Sequence, residues 1–144
     1  MSFLNSILLW LHLGSLGLAG AATFGLPVVG AQLARAEPAG RAALGAVAMQ
    51  ITKLANLALA GLLVTGPIMV GTKFGGLGKL PDPAWFWAKM VLVVVLLGVI
   101  HMGRANAKKA MGGDGTAAAR QPKFALAGIV VYLSVILCAV VSFG

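Results

Sequence analysis

From Met1 to Ala34 the chain carries no fixed side-chain charge, and the stretch SILLWLHLGSLGLAGAATFGLPVVG inside it is apolar almost throughout. A helix needs only roughly 20 residues to cross a hydrocarbon core of about 30 Å, so a run of this length reads as a membrane span. Three more runs of the same kind follow. Transmembrane helices are therefore expected over about 4–33, 46–72, 84–106 and 124–143. Two-residue alternation is absent, which excludes a β-barrel.

Composition closes off a soluble alternative. Charged residues make up 10% of the 144 and hydrophobic ones 60%, whereas soluble domains carry about 25% charged residues. No polar stretch is long enough for a separate soluble domain. The expected fold is an all-α membrane protein, a four-transmembrane-helix bundle with short loops forming a single membrane domain over 1–144. LAGAA (18–22) looks like a signal-peptidase site, but no basic segment precedes the apolar run and the run continues past it, so a retained helix is expected. EPAG (37–40), GGLGKLPDP (75–83) and MGGDG (111–115) punctuate the spans.

The net charge of +8 falls in the connections. The first holds Arg35, Arg41 and Lys53 against Glu37. The third holds Arg104, Lys108, Lys109, Arg120 and Lys123 against Asp114. The second has Lys73 and Lys79 against Asp82, with Lys89 just inside helix 3. This is the pattern of loops meeting lipid headgroups, not of a nucleic-acid-binding surface. The positive-inside rule puts the first and third loops in the cytoplasm and both termini outside, as in a bacterial inner-membrane protein. Trp10, Trp85 and Trp87 then fall at the outer interface. Cys138 is the only cysteine, which rules out an intrachain disulfide and a thiolate cluster.

Small residues supply the packing surfaces. Gly14, Gly17, Ala21 and Gly25 form one stripe, and Ala55, Ala58, Gly61 and Thr65 another, each allowing close helix approach. Pro27 removes one internal hydrogen bond and is expected to bend helix 1.

Against this apolar background the ionisable residues stand out, because such groups at membrane depth are costly unless they face a partner, a cofactor or water. His12 lies roughly 12 Å below the outer surface and Lys89 roughly 7 Å, on helices running the same way, so both can reach one outer-leaflet pocket. A neutral imidazole there suits haem iron, with Ser15, one turn on, placed to orient it; a hydrogen-bonded interior histidine is the plainer reading. Lys89 either snorkels to the headgroups or meets a haem propionate or the iron. His101 sits near the inner end of helix 3, among headgroups beside Arg104 or at a second cofactor, and is too far along the axis to share a metal with His12. Asn56, Tyr132 and Ser134 read as interhelical hydrogen-bonding residues. The methionines lack the spacing of a copper relay.

These residues carry a resemblance. WFWAKMVLVVVLLGVIHMGRANAKKAMGG (85–113), with its leading aromatics, lysine, histidine and basic tail, is similar to helix 3 of the HemJ-type protoporphyrinogen IX oxidases, four-helix haem proteins akin in pattern to CopD-like small membrane proteins. His12, Ser15 and Pro27 follow the family's H-x2-S-x11-P spacing, and Asn56 and Gly66 match more weakly. The resemblance implies haem b bound through His12 and Lys89, Lys89 as a catalytic residue, and oxidation of protoporphyrinogen IX to protoporphyrin IX with electrons passed to a quinone or another acceptor. The family's arginine after the helix-1 proline is absent, Val28 following Pro27, and Leu57 replaces the proline expected after Asn56. Two other functions fit the same residues: a small b-type cytochrome, and a non-catalytic accessory subunit of a larger membrane electron-transfer complex. The small-residue faces also suit a homodimer.

Overall fold

The computed structural model describes residues 3–80 and 82–143, the side chains at 142 and 143 excepted. Four helices account for nearly all of these residues: α1 (Phe3–Arg35), α2 (Pro38–Phe74), α3 (Pro83–Met111) and α4 (Gly115–Phe143). A 3-10 turn at Leu77–Lys79 is the remaining element, and no strand occurs among the described residues. All four helices are long and apolar enough to cross a membrane. The shortest have 29 residues, about 43 Å at the usual rise, well beyond a hydrocarbon core of about 30 Å.

The helices outrun the apolar stretches. α2 begins at Pro38 rather than near 46, α3 continues to Met111, and α4 begins at Gly115 rather than near 124. Hydropathy marks where lipid starts, while alanine, arginine and lysine keep the backbone helical beyond it. Caps and breakers then set the ends. Pro38 and Pro83 occupy first-turn positions, where a missing N–H costs nothing. Asp82 accepts from the backbone N–H groups of Ala84 and Trp85, and Asp114 accepts from those of Thr116 and Ala117. α2 stops at Gly75, whose φ of 72° lets its N–H turn back to the carbonyl of Gly71. Pro27, Pro67 and Pro122 lie within helices.

The chain divides into two compact units, residues 1–80 and 81–144. Each is an antiparallel helical hairpin, α1 packed along α2 and α3 along α4. In the first, the partners of His12, Ser15 and Gly25 step back along α2 from Thr65 to Gly61 to Ile51. In the second, Gly103 lies against Phe124, and Asn106 bonds Gln121 and the Ala117 carbonyl at 2.8 Å each.

The buried set is small and rich in small side chains, including Ala22, Ala58, Ala117 and Cys138. Lipid tails are as apolar as leucine, so helices associate by close packing rather than by a driving force out of water. Val28, Leu57, Val94, Leu126 and Leu137 are 62–65% exposed. In water so broad an apolar surface is an aggregation hazard; here it is the face a bilayer covers.

Candidate functional site

His12 lies in the first half of α1 and is half-buried against α2. Its Nδ1 is 2.8 Å from Oγ1 of Thr65, and Thr65 is buried. The Thr65 hydroxyl is in turn 2.6 Å from the carbonyl of Gly61, one turn back along α2. A hydroxyl has one proton to give. With that proton on the Gly61 carbonyl, Thr65 Oγ1 accepts from His12, which assigns the ring proton to Nδ1 and the lone pair to Nε2. The imidazole is thereby oriented and its tautomer set by α2.

Small residues make this approach possible. A Cβ at Gly61 would collide with the Ser15 hydroxyl and sit 3.2 Å from Ser15 Cβ, while one at Gly66 would be 3.6 Å from His12 Cε1. Ser15 thus packs on the α2 backbone at Gly61, and the hydroxyl the structure pairs with the ring is that of Thr65. In the sequence Thr65 reads as one more small residue in the helix-2 stripe. Its signal is geometric: folding the chain about the two-residue break at 36–37 sets position 12 within a turn of 65.

An apolar groove of about 650 Å³ runs along the same hairpin, between Trp10, Leu11, Gly14, Ser15 and Leu18 of α1 and Leu57, Ala58, Ala60, Gly61, Val64 and Thr65 of α2. No charged side chain lines it, and its polar side-chain groups are the hydroxyls of Ser15 and Thr65 and the indole N–H of Trp10. His12 is not a lining residue; it meets the groove through Thr65. A carboxylate-bearing tetrapyrrole would find no cation there, and the lining is suited instead to a neutral, apolar group.

Lys89 belongs to the other unit. Its Nζ stands 4.9 Å from the ring centroid of Phe86, which is buried and packs edge-on with Trp87 at 5.8 Å. The side chain therefore points back toward the N-terminal end of α3, the direction of a snorkelling lysine, and the ring face holds its ammonium on the way.

His101 is exposed on α3, about 18 Å along the axis from Lys89, so these two do not share a site. Ser134 donates to the Val130 carbonyl of its own helix at 2.9 Å rather than bridging helices. No group of three or more histidine, cysteine or acidic side chains capable of holding a metal occurs among the described residues. A lone imidazole ligating a prosthetic group is a separate arrangement, and His12, with Nδ1 anchored and the lone pair on Nε2, has the form such a ligand needs.

Comparison of the chain with protein-family models, curated proteins and solved structures gives no match.

Proposed function

We propose that this chain is an integral membrane haem-b oxidoreductase in which His12 ligates the iron through Nε2. The observation that carries the reading is the relay from His12 Nδ1 through Thr65 to the Gly61 carbonyl. Metal-bound histidines characteristically have their second nitrogen held in this way, which raises ligand basicity and locks the ring. Bound haem b supplies reversible one-electron chemistry. The protein's own part is to hold and orient the imidazole against α2; no cation lines the adjoining groove, so the haem carboxylates would have to be met outside it.

The resemblance to HemJ-type enzymes makes protoporphyrinogen IX the proposed substrate. Complementation of a strain lacking protoporphyrinogen oxidase tests that assignment: growth restored by the wild type and lost with His12→Ala or Lys89→Ala supports it. No growth despite normal expression and haem content removes the substrate and leaves the haem site standing.

The uncharged groove favours a second reading, a small b-type cytochrome exchanging electrons with a quinone. That reading expects reversible haem reduction by a quinol, lost with Ala60→Trp in the groove wall, and no porphyrinogen turnover. By the positive-inside distribution of charge, the proposed orientation puts the 35–53 and 104–123 connections in the cytoplasm of a bacterial cell.

A further inference from the structure

A second cavity, independent of His12, opens at the charged end of the α3–α4 hairpin. It encloses about 250 Å³ between Met102, Ala105, Asn106 and Lys109 of α3 and Arg120 and Phe124 of α4. Its lining is graded along the axis. Met102 and Phe124 lie toward the apolar centres of their helices, and Lys109 and Arg120 lie toward the turn.

Helix length explains where that gradient falls. α3 and α4 are about 43 Å long against a hydrocarbon core of about 30 Å. The surplus of each lies at this end, in the charged segments 104–111 and 115–123. With the hydrocarbon core set on the apolar segments, Phe124 and Met102 would fall at its boundary and Lys109 and Arg120 at the depth of the lipid phosphates.

The cavity walls are held in place. Asn106 donates to the Ala117 carbonyl and to Gln121 Oε1, pinning α3 to α4 behind the cavity, and Phe124 packs on Gly103. The one carboxylate of the connection, Asp114, accepts from the backbone N–H groups of Thr116 and Ala117. It also feels the charge of Lys109 from outside the cavity, and five cations share the connection with it.

We infer that this cavity is a binding site for one anionic phospholipid, its phosphate between Lys109 and Arg120 and its glycerol and first acyl carbons against Phe124 and Met102. The apolar floor selects a lipid over a free phosphate. The paired cations select an anionic headgroup over a zwitterionic one, each adding about fivefold to the preference.

The test uses the purified full chain in detergent with equal amounts of phosphatidylglycerol and phosphatidylcholine, and reads bound lipid by native mass spectrometry. Wild type is expected to retain one phosphatidylglycerol. Lys109→Gln and Arg120→Gln should each lower the preference about fivefold, while Lys73→Gln, in the α1–α2 hairpin and outside the cavity lining, leaves it unchanged. Retention of the preference in the Lys109→Gln/Arg120→Gln double variant overturns the proposal, as does an equal loss in Lys73→Gln. Should the double variant not fold, Phe124→Ala decides: phosphatidylglycerol is lost if the acyl floor matters and kept if the proposal is wrong. Displacement of the lipid by millimolar inorganic phosphate would show a simple anion site and likewise overturn it.

Discussion

His12 and Thr65, 53 residues apart in the chain, meet at 2.8 Å across the α1–α2 hairpin, and the threonine hydroxyl passes the contact on to the Gly61 carbonyl. The bond ties the ionisable residue of the first span to a buried acceptor and makes Nε2 the nitrogen with the lone pair. It does so with residues that also close-pack the two helices.

Thr65→Val keeps the shape and removes the hydroxyl. It leaves the Nδ1 proton without its acceptor, while the Gly61 carbonyl keeps the backbone N–H of position 65 within α2. A loss of about 1–2 kcal/mol is expected, read as a lower midpoint of unfolding of the detergent-solubilised chain. Thr65→Ser should restore most of it, and if haem is bound its reduction potential should shift in Thr65→Val and return in Thr65→Ser.

Gly61→Ala places a methyl group into Ser15, whose Cβ would be only 3.2 Å away. Rotating the Ser15 hydroxyl relieves part of the clash but not the Cβ contact, so a destabilisation of about 1–3 kcal/mol is expected. The swap Ser15→Gly/Gly61→Ala should recover most of that loss. Additive losses in the double variant would show that the two positions do not touch.

Asn106→Ala removes two hydrogen bonds that join α3 to α4 near their turn. The expected cost is about 1–2 kcal/mol. Amide hydrogen exchange should localise the loosening to residues 104–123, with the α1–α2 hairpin unaffected.

Asp114 titrates below the usual aspartate range, chiefly because its carboxylate accepts from the Ala117 N–H and, more weakly, because of Thr116 and the charge of Lys109. A folded-state pKa below the unfolded value means that the stabilisation is fully present above the ordinary aspartate pKa. It is lost as pH falls through the lower folded value. Thermal melts of the wild type should therefore weaken over that acidic window. Asp114→Asn, which keeps a capping oxygen without the charge, should flatten this part of the profile.

The four spans were legible because an apolar run that outlasts a bilayer has one common fate, and the breaks at EPAG, GGLGKLPDP and MGGDG lie where the helices end. The helical ends at 38–45 and 115–123 were not legible from hydropathy, which reports the solvent rather than the backbone. The tight breaks at 36–37 and 112–114 are what force helix to start early. At the site, His12 announced itself as an ionisable residue in an apolar run. Thr65 did not, since a threonine in a row of alanine and glycine reads as packing until the hairpin register is known. The hydroxyl expected at Ser15 and the one observed at Thr65 lie on opposite walls of one seam. Residue type pointed to the need for an acceptor, and only geometry said which helix provides it.

The proposed function depends on the oriented imidazole of His12 holding haem iron. The direct measurement is the absorption spectrum of the purified chain, expressed with haem available, before and after dithionite, for wild type and His12→Ala. A Soret band that shifts on reduction is expected in the wild type and its absence in His12→Ala. A colourless wild type, or an undiminished band in His12→Ala, would contradict it.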